Sequence, residues 1–463
     1  MKSIIMLPIL LALLCGQSSA ADKAATAAKP NIILILADDL GYECIGADGC
    51  TSYKTPVLDQ LAATGVRFDA CNVQPLCTPT RVQIMTGIYN VRNYTDFGHM
   101  DPKCVTFANL LKQAGYATCM AGKWQLGTDP ALPRTFGFDE HCLWQHLRAA
   151  KDAPSRYMNP GLEINGVIKD FTNKEYGPDI VSDYALDFIR RKKGQPFFLY
   201  YTMMLTHGPF QTTPDSPDYG KKGGGKNSAR PDGINQHFAD MVAYADKLTG
   251  KLLAKLDELG LRDNTLVIFL GDNGTQRGML TLMGERKFYG GKGLPTDAGM
   301  HVPLIVSWPG KAAPGKVSRD LVDSTDFLPT VCEAAGVPVP AELKIDGRSF
   351  LPQVRGEKGR PRDWYYSWYG PQDVIIAEFA ATRDFKLSRT GDFYDLRNDI
   401  EEEHPLKAAT LTGEAAAAAK LLQGALDRCK NTRPAAMAKP FAGPKKRGRN
   451  HVDDANKTDA NNP

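Results

Sequence analysis

Two short runs of oxygen-donor side chains stand out in this 463-residue chain, Asp38-Asp39 and Asp272-Asn273. Each follows a continuous apolar run, Asn31 to Ala37 (NIILILA) and Thr265 to Leu270 (TLVIFL). In an open α/β sheet such runs are strands buried on both faces, and ligands bind beyond their carboxyl ends. Three carboxylates and an amide gathered there are hard oxygen donors, suited to Ca2+ or Mg2+ rather than zinc. The segment Leu76 to Gly87 (LCTPTRVQIMTG) places Cys77 at or just before a helix N-cap, because Pro79 fits a first helical turn. Arg81 follows four residues later, on the same helix face. A thiol at a helix N-terminus beside a guanidinium suits the handling of an anion. His207 lies just past another apolar run, Pro196 to Met204 (PFFLYYTMM). Taken singly, these residues also read as turns, caps or a structural cysteine, since Asp-Asp and Asp-Asn-Gly are good turn sequences.

The elements that must position them alternate along the chain. Helical spacing covers 55–64, 105–114, 180–192, 236–259 and 326–335, and strands are expected at 31–37, 116–121, 196–204, 265–270 and 302–307. The alternation predicts an α/β fold with a large, mainly parallel central sheet flanked by helices. After Leu351 the texture changes. Short antiparallel strands at 364–368, 374–379 and 385–388 and a helix at 413–428 predict a small C-terminal α+β subdomain. The expected organisation is a signal peptide (1–20), a linker (21–29), a catalytic domain (30–350), the α+β subdomain (351–430) and a disordered basic tail (431–463).

A hydrophobic content of 43% excludes wholesale disorder. The net charge of +4 is unevenly placed: residues 430–463 hold eight Lys/Arg and three Asp, and the body is close to neutral, so no nucleic-acid partner is expected. Met1 to Ala20 reads as a secretory signal, with Lys2, an apolar run from Ile4 to Leu14 and small residues Ser18 to Ala20. This predicts a secreted or periplasmic protein; bulky Leu13-Leu14 argues against lipid anchoring at Cys15. No later run is long enough for a transmembrane segment. Ten cysteines in an exported chain predict disulfides. Without Cys15 nine remain, an odd number that leaves one for another role.

The sequence Cys77-Thr78-Pro79-Thr80-Arg81 with Met85-Thr86-Gly87 resembles the signature of type I sulfatases, members of the alkaline phosphatase superfamily. Further blocks follow in the family's order: NIILILADDLGY, AGKWQLG, LTHGPF, FLGDNG, GGKGLPTDAGMHVPLIVSWPG and FYDLRNDIEEEHPL, a likeness spanning roughly 30–410. The resemblance implies hydrolysis of a sulfate ester, and the expected substrate is a sulfated carbohydrate. It implies that a formylglycine-generating or sulfatase-maturating enzyme oxidises Cys77 to Cα-formylglycine, whose hydrate attacks sulfur with one hydroxyl and expels sulfate with the other. Asp38, Asp39, Asp272 and Asn273 would hold Ca2+, which contacts residue 77 and a sulfate oxygen. Arg81 would stabilise the ionised diol, Lys123 and Lys292 would neutralise sulfate oxygens, and His207 would protonate the leaving alcohol or bind the sulfate. Outside this context Lys123 and Lys292 read as solvated lysines. Three departures stand out: Gln125 replaces the histidine of the family's GKWHLG, Asp297 is the acidic residue of the later block, and His301 occupies a position where arginine often precedes Val-Pro. Gln125 bears on mechanism; the other two read as structural. His99, His141, His146 and His237 fall in variable regions and read as pocket lining or ordinary surface. The alternatives are a phosphatase or phosphodiesterase of the same superfamily and a catalytically weak sulfate-binding homologue that lost turnover with Gln125.

Overall fold

The computed structural model describes residues 29–148, 152, 155–221 and 229–441. The expected signal peptide and almost all of the linker lie outside them. The strands, in chain order, are β1 (Asn31–Ala37), β2 (Val66–Asn72), β3 (Ala117–Lys123), β4 (Glu140–Trp144), β5 (Gly161–Ile164), β6 (Val167–Asp170), β7 (Phe197–Thr202), β8 (Thr265–Gly271), β9 (Leu280–Met283), β10 (Arg286–Tyr289), β11 (His301–Ser307), β12 (Lys316–Ser318) and β13 (Val322–Asp323). All but the β9–β10 hairpin join one sheet in the order β12-β2-β11-β8-β1-β7-β3-β4-β5-β6, with β13 also on β2.

The middle of this sheet is parallel. β1 pairs in parallel with β7 and β8, and β3 with β7 and β4. Every residue of β1, β3, β7 and β8 is buried, as expected of central strands covered on both faces. Antiparallel strands flank this centre: β11 runs against β8 and β2, and β4, β5 and β6 form a meander. Separate apolar clusters cover the sheet's two faces. Helices Gly177–Lys192 and Gln236–Glu258 belong to one, and Phe107–Gln113 and Phe327–Ala335 to the other. The last strands, β14 (Tyr365–Tyr369), β15 (Ala377–Ala381), β16 (Phe385–Ser388) and β17 (Phe393–Asp395), form an antiparallel sheet against helix Gly413–Cys429.

Two expectations need correction. Residues 431–441, the start of the expected disordered tail, pack on the body. Arg433 donates to the carbonyls of Val91 and Tyr94 and its guanidinium lies 4.1 Å over the Trp368 ring; the Ile375 amide donates to the Pro440 carbonyl. Composition missed this because one stacked arginine can anchor a polar segment. The nine described cysteines are all free thiols, not disulfide partners. Eight are buried, behaving as small apolar side chains in the packed layers.

Candidate active site

The carboxyl ends of the central strands converge. Asp38 and Asp39 follow β1, Lys123 ends β3, and Asp272 and Asn273 follow the last residues of β8. Gly122 permits the approach of Lys123: its φ is +122°, and a Cβ there would lie 1.7 Å from the Thr202 carbonyl oxygen on β7. Cys77 is the first residue of helix Cys77–Thr86, with Leu76 as N-cap, so the thiol sits inside the helix rather than at or before its cap. A threonine hydroxyl fixes the approach: Thr80 Oγ1 accepts from the Gln74 amide.

The charged groups interlock. Lys123 Nζ lies 2.8 Å from Asp38 Oδ1 and 3.1 Å from Cys77 Sγ. Arg81 donates to Asp272 Oδ2 at 2.9 Å and to the Lys123 carbonyl at 2.9 Å. Lys292, from the loop before β11, donates to Asp39 Oδ2 at 2.7 Å and to His207 Nε2 at 2.9 Å. Asn273 donates to Asp39 Oδ1 at 2.8 Å, while its own Oδ1 is buried without a partner. Asp38, Asp39, Asp272, Arg81 and Lys123 have no solvent exposure, and His207 and Lys292 form the partly open edge. Hydrogen bonds thus tie nine of the ten sequence-singled residues into one place, and Gln125 Oε1 takes no part in that network. Gln125 is 7% exposed with φ +54°, and its Oε1 is buried and unpaired.

Electrostatics follows from this packing. Burial alone would raise the Asp38 carboxyl, but Lys123, His207, Arg81 and Arg156 hold it well below the usual carboxylate range. Burial and the neighbouring Asp38 push Asp272 upward against the pull of Arg81. Burial pushes the Cys77 thiol up, with Lys123 opposing. Burial would lower Lys292, yet Asp39 holds it above the ordinary lysine range. His207 is driven well below the usual imidazole range by burial, Arg156 and Lys292. Its Nδ1 is 2.7 Å from the Gly208 carbonyl, so that nitrogen carries the proton and Nε2 accepts from Lys292.

Arg156 was not anticipated. Its guanidinium lies 4.1 Å over the Trp144 ring and 3.3 Å from Asp38 Oδ2. Neighbouring Tyr157 anchors the segment through its hydroxyl, against the Met204 carbonyl at 3.0 Å. An arginine in an aperiodic stretch gives no sequence signal. His141 and His146 are not ordinary surface: both are buried against Glu163. His301 pairs with Asp297 at 3.1 Å and stacks on Tyr42.

The Sulfatase family model matches residues 30–337, and that of the N-sulphoglucosamine sulphohydrolase C-terminal region matches 284–428. Arylsulfatase A of Bos taurus is 32% identical over 390 residues, 77% of this chain and 74% of that protein. N-acetylgalactosamine-6-sulfatase of Canis lupus familiaris is 32% identical over 391 residues, 76% and 72% of the two chains. The solved structure of Ps i-CgsB in complex with k-i-k-neocarrahexaose matches with a TM-score of 0.72 at 26% identity, covering 88% of this chain and 94% of the other.

Proposed function

This chain belongs to the sulfatase family and is a sulfuric ester hydrolase with that family's alkaline phosphatase-like fold, and we propose that it desulfates a carbohydrate outside the cytoplasm through a formylglycine made from Cys77 and a Ca2+ ion. One observation carries this reading: the residue-77 side chain lies under the Lys123 ammonium, beside a buried cluster of hard oxygen donors. The donors fit Ca2+. Asp38, Asp39 and Cys77 offer ligand atoms within 4.8 Å of one another, and Asn273 Oδ1 is a buried acceptor lacking a donor. Asp38, Asp39, Asp272 and Asn273 would hold the ion, which would supply positive charge against a sulfate oxygen. Hydrated formylglycine would supply the attacking hydroxyl and a second hydroxyl for sulfate release.

The chain's own groups do the rest. Lys123 is preorganised beside residue 77 and neutralises negative charge developing there. Arg81 acts by fixing Asp272 and the Lys123 carbonyl. Lys292 and His207 hold a proton between Nζ and Nε2 at the open edge, within reach of a leaving alcohol. Arg156 adds a cation at the mouth of the site, backed by the Trp144 ring. Gln125 can hold a hydroxyl but cannot take its proton near neutral pH, so the elimination proton goes to another group or to water.

A carbohydrate substrate is supported by the names of the matched proteins, one an N-acetylgalactosamine-6-sulfatase and one solved with a neocarrahexaose. Export is supported by the character of residues 1–20, and no helix among the described residues is long and apolar enough to cross a membrane. The maturating enzyme is the partner that the Cys77 motif requires. Mass spectrometry of the peptide carrying residue 77, from active protein, should show an aldehyde in place of the thiol. Aryl sulfate and aryl phosphate assayed side by side, then sulfated glycans, define the substrate. Full sulfatase activity with an unmodified Cys77 thiol, or turnover of aryl phosphate alone, would overturn the proposal.

A further inference from the structure

We propose that His141, His146 and Glu163 form a second metal site, for zinc or a similar imidazole-preferring divalent ion, separate from the oxygen-donor cluster. His141 lies on β4, His146 two residues beyond it, and Glu163 on β5, opposite Leu143 in the antiparallel pair. Side chains alternate along a strand, so 141, 143 and their cross-strand partner 163 share a face. The three residues are at most 3% exposed, and one ligand atom from each lies within 4.8 Å of the others. His141 Nε2 is 3.1 Å from Glu163 Oε1, and His146 Nδ1 is 2.8 Å from Oε2.

The hydrogen-bond inventory singles out this point. His146 Nε2 lies 3.0 Å from the Asp129 backbone carbonyl, which can only accept, so Nε2 carries a proton. The other nitrogen of that ring faces a carboxylate that also accepts a bond from the Gly166 amide. A neutral ring would then set a lone pair against a carboxylate oxygen. Either a second proton or a cation must lie between them, and a buried divalent ion satisfies both imidazoles and the carboxylate at once. The Nε2–H to carbonyl bond is the outer contact that orients a metal-bound imidazole through its opposite nitrogen. His141 offers no competing use of its ring: Nδ1 is buried and unpaired.

Two imidazoles and one carboxylate form a three-ligand set that leaves a fourth position open, as zinc accepts, whereas calcium would need more oxygens. A small cavity lined by Leu143, His146, Gly161, Glu163 and Ile168 adjoins His146 and Glu163 and is just large enough for one water. On binding, the His141 proton moves from Nε2 to Nδ1, the His146 Nδ1 proton leaves to solvent, and no oxidation state changes. The ligands stand at both ends of the connection from β4 to β5, which carries Arg156. Tying those ends together holds the Arg156 guanidinium on Trp144 and against Asp38, so the ion acts as a structural clamp.

The test uses the full chain stripped with a chelator and refilled with zinc or Co2+. Wild type and Cys77→Ser should each take up an ion that His146→Ala and Glu163→Gln do not, with His141→Gln as a gentler variant should either fail to fold. Zinc at roughly a hundredfold its dissociation constant should raise the wild-type Tm by about 3 °C. The Co2+ form should show the intense visible bands of a four-coordinate imidazole site, present in Cys77→Ser and absent in His146→Ala. Equal metal uptake by wild type and the cluster variants, or a wild-type Tm indifferent to zinc, would overturn the proposal.

Discussion

Gln125 tests how far the site's polar groups serve turnover rather than the fold. Its Oε1 is buried without a partner in the free protein, and its backbone has φ +54°. Replacing Gln125 with leucine removes the orphaned acceptor, keeps a similar volume and adds no β-branch at a positive-φ position. A buried acceptor left unpaired costs about 1–3 kcal/mol. An unfolding entropy of about 2.1 cal/mol/K per residue gives roughly 1 kcal/mol/K for a chain of this length, so Tm should rise by about 1–3 °C. Activity should move the other way. If the amide holds a reacting hydroxyl or a sulfate oxygen, losing a bond to a charged group of about 1.5–3 kcal/mol lowers kcat/KM roughly 10- to 150-fold. Differential scanning calorimetry and steady-state kinetics on one preparation measure both. A Gln125→Leu protein that is less stable and equally active would refute the reasoning, because Oε1 would then serve the fold and not the reaction.

Other expectations follow from particular contacts. His301 is held above the usual imidazole range: burial would lower it, but the Asp297 charge and hydrogen bond outweigh burial. A raised folded-state value contributes stability that is full below the unfolded value of about 6.5 and fades as pH rises through the folded one. The Tm deficit of His301→Gln should therefore be largest at acid pH and shrink above neutrality; a deficit that grows with pH would reverse the assignment. Truncation after Lys430 should cost about 2–4 kcal/mol in urea unfolding, because it strips the Arg433 bonds from the Val91 and Tyr94 carbonyls and uncovers Trp368. An unchanged unfolding midpoint would mean that this segment adds nothing to the body. Arg156→Gln should lower kcat/KM for sulfate esters by roughly 10- to 150-fold while leaving the far-ultraviolet circular dichroism unchanged, and unaltered kinetics would remove Arg156 from the site.

The central strands were legible because burial on both faces writes itself as an unbroken apolar run, and the polar pair ending such a run marks the ligand side of the sheet. β2 was not, since VRFDACN alternates with charge, and the β4–β6 meander is short and mixed. Lys123 and Lys292 look like any lysine in isolation; the family blocks gave them a place, and their burial against Asp38 and Asp39 depends on strand order that no local pattern encodes. Arg156 and the His141–His146–Glu163 group share this cause. Their partners lie on neighbouring strands or across a connection, and tertiary pairing leaves no periodic trace. The helix beginning at Cys77 rather than after it reflects Pro79, which is equally at home one position further into the first turn.

If residue 77 is converted to formylglycine as proposed, its burial, 1% exposed beneath Lys123, fixes a chronology as well as a geometry. A maturating enzyme must grip the chain around a side chain it oxidises, and the closed sheet offers no such grip. The oxidation would then belong to the interval between emergence of residue 77 and arrival of β8 and the Lys292 loop, roughly two hundred residues later in synthesis. A copy that closed too early would be trapped as a well-folded but unconverted molecule. Expression rate, export route and maturase supply, rather than thermal stability, would then set what fraction of a preparation is alive.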